Sequence, residues 1–135
     1  MIKLSTFKFG GKDLGVSYLN TEYVKEGVEC DIYSFSGDSS KDLAIVRVKA
    51  GCKTPLQKIL SGESTLEGYL EGEGSLTLKT ESDETKVHIF EPGSIFLPIE
   101  VRIGDTMRWK ATSDSELTFY EICTPPYEKG RFENL

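Results

Sequence analysis

An all-β sandwich or barrel is the fold class this sequence predicts, on three observations. Apolar and polar residues alternate with a period of two in several short runs. Clusters of Gly, Asp and Ser punctuate those runs at intervals of roughly eight to twelve residues. No window of about a dozen residues carries the 3.6-residue apolar period of an amphipathic helix.

The first 25 residues are the least patterned and read as an N-terminal strand or irregular arm that covers one sheet. A helical turn or two has room only near Asn20–Lys25 or in the last residues. Residues 28–36, rich in β-branched and aromatic types, read as a strand. Over 41–50, Ala44, Val46 and Val48 alternate with Ile45, Arg47 and Lys49. Leu76 and Leu78 stand opposed to Ser75, Thr77 and Lys79, and Leu117 and Phe119 to Thr118 and Tyr120. In 85–91, Val87 and Ile89 oppose Lys86, His88 and Phe90, so inward-facing Val87 and Ile89 put His88 on the outside. Gly72 and Gly74 bracket a hairpin that needs positive φ. Pro92-Gly93 makes a tight turn before a short, buried apolar strand. Pro125-Pro126 ends the last strand, because proline cannot donate to a ladder, and Tyr127 and Phe132 in the tail are expected to pack on the barrel.

The chain has 135 residues, read as one domain spanning 1–135 with a core barrel at about 41–126 and N-terminal strands or arm over 1–40. Hydrophobic residues at 38% and charged residues at 28% are the balance of a globular protein, not a disordered one. A net charge of −6 with no cationic run argues against nucleic-acid binding. No apolar run approaches the roughly 18 residues of a membrane helix, and the start lacks a signal-peptide core, so no membrane association is expected and the cytoplasm is the expected location. Three cysteines form no disulfide framework. Cys30 and Cys123 read as small buried hydrophobes, and Cys52, at a turn, as exposed.

Four segments in order carry a family resemblance. Tyr69-Leu70-Glu71-Gly72-Glu73-Gly74 resembles the "YVLEGEG" ending of the first motif of the cupin superfamily. Pro92-Gly93-Ser94-Ile95-Phe96-Leu97-Pro98 is similar to the "PGDxxFIP" stretch that opens the second motif, and Met107-Arg108-Trp109-Lys110-Ala111 to the "HRWRN" stretch that closes it. Thr124-Pro125-Pro126 looks like the common "SPP" ending. The resemblance covers about residues 41–126 and implies a double-stranded β-helix (jelly-roll) barrel, with an N-terminal arm and short C-terminal tail, whose open mouth is the ligand site. It also implies a homodimer formed through sheet faces and exchanged terminal strands.

The metal ligands of that family are where this chain departs from it. The resemblance implies two histidines in an HxH pair, a glutamate, and a third histidine in motif two. Those positions fall within Gln57-Lys58-Ile59-Leu60-Ser61, at Thr65 and at Met107, and none is histidine. His88 is the single histidine and reads as structural. Gln57, Glu67 and Met107 make a poor cage for an ion, so neither a metal nor another cofactor is expected. Strand parity puts Glu67 and Tyr69 on the face of Thr65, which the resemblance implies is turned into the mouth, and puts Met107 with Trp109 by the same rule; a hairpin from Ala111 to Leu117 places Glu121 opposite Met107. Arg102, in the loop from Ile99 to Thr106, is expected to rim the mouth, where it could hold a carboxylate or phosphate.

The candidate ligand-binding residues are therefore Gln57, Glu67, Tyr69, Arg102, Met107, Trp109 and Glu121. Glu67 and Glu121 are either an acid–base pair or carboxylates neutralised by Lys58, Arg102 or Arg108. The leading expectation is a metal-free domain that binds a small polar molecule of sugar or carboxylate type. The alternatives are a cofactor-independent isomerase, epimerase or lyase, and a structural or oligomerisation barrel; enzymatic activity is left open.

Overall fold

Alternation along the chain builds the strands, and cross-strand register decides which face each residue takes. The computed structural model describes residues 3–135; Met1 and Ile2, the start of the expected arm, lie outside the described residues. The strands are β1 (Thr6–Phe9), β2 (Lys12–Lys25), β3 (Val28–Phe35), β4 (Asp38–Val48), β5 (Gln57–Ile59) and β6 (Ser64–Gly72). They continue as β7 (Gly74–Lys79), β8 (Thr85–Phe90), β9 (Ile99–Glu100), β10 (Thr106–Ala111), β11 (Leu117–Thr124) and β12 (Phe132–Asn134). One sheet has the order β1-β2-β3-β4-β11-β6-β9 and the other β12-β5-β10-β7-β8. Both are antiparallel, and together they form a half-barrel of the jelly-roll type. No helix of the described residues is long and apolar enough to cross a membrane.

The seven-stranded sheet is buried on both faces where β4 and β11 run through its middle. Leu43, Ala44, Ile45 and Val46 are all buried in succession. Ala44, Val46 and Val48 face the second sheet and join Leu76, Leu78, Trp109 and Phe119 in the main core. Leu43 and Ile45 face the other way, into a second core with Phe7, Val16, Tyr33 and Tyr120. Phe7 of β1 sets its ring edge-on to Tyr120 at 5.1 Å, so the β1–β2 hairpin lies across the sheet's outer face.

Several local expectations are corrected by register. Residues 20–25 belong to β2 and the chain end to β12, so neither forms a helical turn. His88 pairs with Leu76, which faces the core, so His88 shares Phe90's face while Val87 and Ile89 point to solvent. Residues 94–98 form no strand; Ile95 and Leu97 are exposed, and only Phe96 reaches inward, 4.5 Å from Phe90. Gly72-Glu73-Gly74 is not a hairpin, because β6 and β7 lie in different sheets and the chain crosses between them there. Gly72 has φ +89, whereas Gly74 is required by closeness: a Cβ would meet the Lys110 carbonyl. Cys52, expected to be exposed, is half-buried against Gly27.

Candidate functional site

Between the sheets, at the end near β12 and the C-terminal tail, lies a cavity of about 290 Å³. That is the small end of the range for ligand sites. Its wall on the seven-stranded sheet is a row set by register: Ile32, Ala44, Glu121 and Glu67 are successive cross-strand neighbours on β3, β4, β11 and β6. Met107 and Trp109 of β10 form the opposite wall. Glu121 thus sits beside Glu67, not opposite Met107, since β10 and β11 belong to different sheets. Its inward direction follows all the same, from the buried Ala44 with which it pairs.

Glu67 is fully buried, and the Trp109 indole Nε1 donates to its Oε1 at 2.8 Å, a bond that joins the two sheets. The indole is held in place by stacking on Phe119, with centroids 4.3 Å apart and planes 7° from parallel. The Cys123 thiol lies 3.4 Å from Glu121 Oε1. Burial, then the charge of Glu121, pushes the Glu67 carboxyl well above the usual range, against the pull of the indole N–H. Burial also raises Glu121, opposed by its hydrogen bonds from Glu67 and Cys123 and by the positive field of Arg131. Two adjacent carboxyls in a desolvated site resist joint ionisation, so the pair holds on to a proton above the ordinary carboxylate range. Burial likewise raises the thiols of Cys30 and Cys123, reinforced by the carboxylates around them, so neither is a ready nucleophile.

Five of the seven sequence-derived residues border this cavity: Gln57, Glu67, Met107, Trp109 and Glu121. Gln57 is at its edge, donating to Asn134 Oδ1 at 3.2 Å. Tyr69 faces the same way as Glu67 but stacks on Phe90 at 5.0 Å and donates its hydroxyl to the Gly72 carbonyl, outside the cavity. Arg102 is exposed, 4.0 Å from Glu100, beside a separate small hollow with Thr65 and Gly62. It does not rim the mouth, because β9 pairs with β6 and carries that loop to the far edge of the sheet. Among the described residues no cation forms an ion pair with Glu67 or Glu121; Arg108 donates instead to the Thr54 carbonyl.

Sequence reasoning missed the acids at the cavity's edge, Glu22 and Asp42, and missed Arg131. The register Glu22↔Cys30 and the position of Asp42 two residues before Ala44 are the signals that place the two acids. Arg131 is buried and gives its guanidinium to the carbonyls of Ser64 (2.6 Å), Pro125 (2.8 Å) and Thr124 (3.2 Å) and to the Thr65 hydroxyl (3.1 Å). It ties the tail to the ends of β6 and β11. No local sequence signal marks it.

The architecture is that of cupin-fold proteins. A bound-inhibitor structure of CapF, with 3-isopropenyl-tropolone, superposes with a TM-score of 0.69 at 11% identity, covering 88% of this chain and 34% of that one. Oxalate decarboxylase from Bacillus subtilis, in its structure at pH 4.6, gives 0.67 at 18%, covering 84% and 29%. The 7S globulin of Momordica charantia gives 0.65 at 14%, covering 87% and 34%. The chain thus spans about a third of the length of these structures. No protein-family model and no curated protein sequence matches it.

The resemblance implies histidine-rich metal ligands, and this site does not fit them. The cavity offers two adjacent carboxyls, two protonated thiols and a thioether, and His88 lies on β8, ring-stacked 6.5 Å from Phe90. Among the described residues no group of three or more His, Cys, Asp or Glu side chains converges in a way that could hold a metal.

Proposed function

We propose that this cupin-fold domain binds a small polar molecule in the cavity between its sheets, with the Glu67–Glu121 pair as the polar anchor and Trp109 and Phe119 as the apolar wall. The observation that carries the reading is a carboxyl pair bordering an open cavity, Glu67 wholly buried and Glu121 half-buried, with no cation paired to either among the described residues and no donor to Glu67 Oε2 other than the proton of the pair. Buried polar atoms are seldom left so, and a bound polar group is what would satisfy this one. The carboxylate-type ligands of the sequence reading lose support, since the arginine meant to hold them lies elsewhere.

Native mass spectrometry of the purified protein, followed by thermal-shift screening against small polar compounds, tests the proposal. A ligand should be found whose affinity falls at least tenfold in Glu121→Gln and in Ala44→Phe, which narrows the cavity. Unchanged affinity in both variants would remove the cavity as the site.

The acid–base reading stays as a second proposal, supported by one proton held between neighbouring carboxyls. It predicts deuterium uptake from D2O into a carbon position of the bound molecule. Absence of uptake in a ligand that binds the cavity removes it.

A further inference from the structure

Resting on that reading, we infer that the ligand is a compact organic cation, a primary or secondary amine in its ammonium form with a small apolar body. Among the described residues, the lining of the cavity includes four acids, Glu22, Asp42, Glu67 and Glu121, and no lysine, arginine or histidine. An anion entering it would meet no opposite charge. Acids alone do not make a site, but Glu67 is wholly buried and lines the cavity, and its Oε2 has no donor among the described residues beyond the proton of the pair.

The donor count around the pair points the same way. Two carboxyls offer about eight lone-pair positions, roughly four on each. The described side-chain donors to them are the Trp109 indole and the Cys123 thiol. The nearest strong cation, Arg131, has its two terminal nitrogens committed to three carbonyls and a hydroxyl. A neutral sugar hydroxyl brings one donor and two acceptor lone pairs that need donors in return. An ammonium brings two or three donors and a charge, and accepts nothing. Around the carboxyls the walls are aromatic: Trp109 against Phe119 on one side, and Tyr127 with Phe132, centroids 5.5 Å apart, toward the tail. Such faces favour a cation and accommodate an alkyl body.

Occupancy exchanges one positive charge for another. Without ligand, a proton relieves the opposition between the carboxyls; an ammonium does the same once that proton leaves for solvent. Facing the pair are Glu22 from β2, Cys30 from β3, Asp42 from β4, Cys123 from β11 and Tyr127 from the tail, with Arg131 behind the end of the sheet. All but Arg131 are neutral or negative, so none supplies the exchange internally. Amine affinity therefore rises with pH through the titration range of the pair, with release of up to one proton per ligand, and falls again when the amine itself deprotonates.

Trp109 is the only tryptophan in the chain, so its indole N–H gives one resonance that reports directly on the Glu67 bond. The full-length protein is titrated with n-butylamine and piperidine, and in parallel with 1-butanol, butyrate and glucose. The amines should shift the indole resonance saturably, the alcohol and butyrate should not, and affinity should increase at least threefold per pH unit on the rising limb. Glu121→Gln should weaken amine binding at least tenfold; the wild-type pH series gives an independent reading if that variant folds poorly. Saturable shifts with butyrate or glucose but not the amines would overturn the cation inference and leave small-molecule binding standing. No shift with either amine, or an affinity independent of pH, would overturn it as well, while the ligand screen above would still decide the broader proposal.

Discussion

Asp31 shows how one residue's surroundings can reverse the effect of burial. The side chain is almost wholly buried beneath the β1–β2 hairpin, which alone would raise its carboxyl. Arg47 grips it with Nη1 at 2.7 Å and Nη2 at 3.3 Å, and the Thr21 hydroxyl adds a bond at 2.6 Å. These hold the carboxyl down at about 2. A depressed folded value stabilises the protein above the unfolded value and loses that contribution as pH falls through the folded one. Asp31→Asn should cost about 1–2 kcal/mol at pH 7 after allowance for solvent screening, with the deficit closing below about pH 3 in urea titrations. Glu67 works with the opposite sign. Its raised folded value means the folded state holds a proton the unfolded chain releases above about 4.5, so stability declines as pH climbs from there through the elevated range. Glu67→Gln keeps an acceptor for Trp109 and removes the proton; its unfolding free energy should lose that downward slope, and a slope equal to wild type would show that the pair does not share a proton.

At the scale of elements, the crossing from β6 to β7 is closely constrained by its surroundings. Gly72 has a left-handed backbone, and a Cβ there would run into the Glu116 carbonyl at the start of β11. Gly72→Ala should cost about 2 kcal/mol or more in equilibrium unfolding, whereas Gly93→Ala, also at positive φ but with open space around it, should cost less. The strand β8 marks a limit of reading parity. Its alternation is plain in the sequence, with Val87 and Ile89 on one face and Lys86, His88 and Phe90 on the other, but the inward face was fixed by the pairing of His88 with Leu76 on β7. Alternation defines two faces without labelling them. Glu121 illustrates the reverse case: an incorrect partner strand gave the correct direction, because every route that aligns Leu117 and Phe119 inward also turns Glu121 inward.

For the whole molecule, the decisive feature is a sheet buried on both faces, with one core inside the half-barrel and another beneath the β1–β2 hairpin. Deleting residues 1–25 would leave Tyr33, Leu43, Ile45 and Ile122 uncovered on one surface. Such a truncation should bind a hydrophobic dye and precipitate at concentrations where the full chain stays soluble; a soluble, dye-negative truncation would show that the outer core is dispensable. The sequence by itself determined the strand-rich class, the turn positions, the jelly-roll resemblance and the lack of imidazole ligands, because these depend on composition and near-neighbour spacing. It also supplied five of the side chains that border the cavity, Gln57 through the family resemblance and the others through the period of two. Only the tertiary structure decided that Arg102 and Tyr69 stand apart, that Glu22 and Asp42 join the cavity's edge, and that Arg131 closes one end of the barrel. Those outcomes depend on which strands become neighbours across the two sheets, a long-range choice made by the total burial of apolar surface and written in no single segment of the chain.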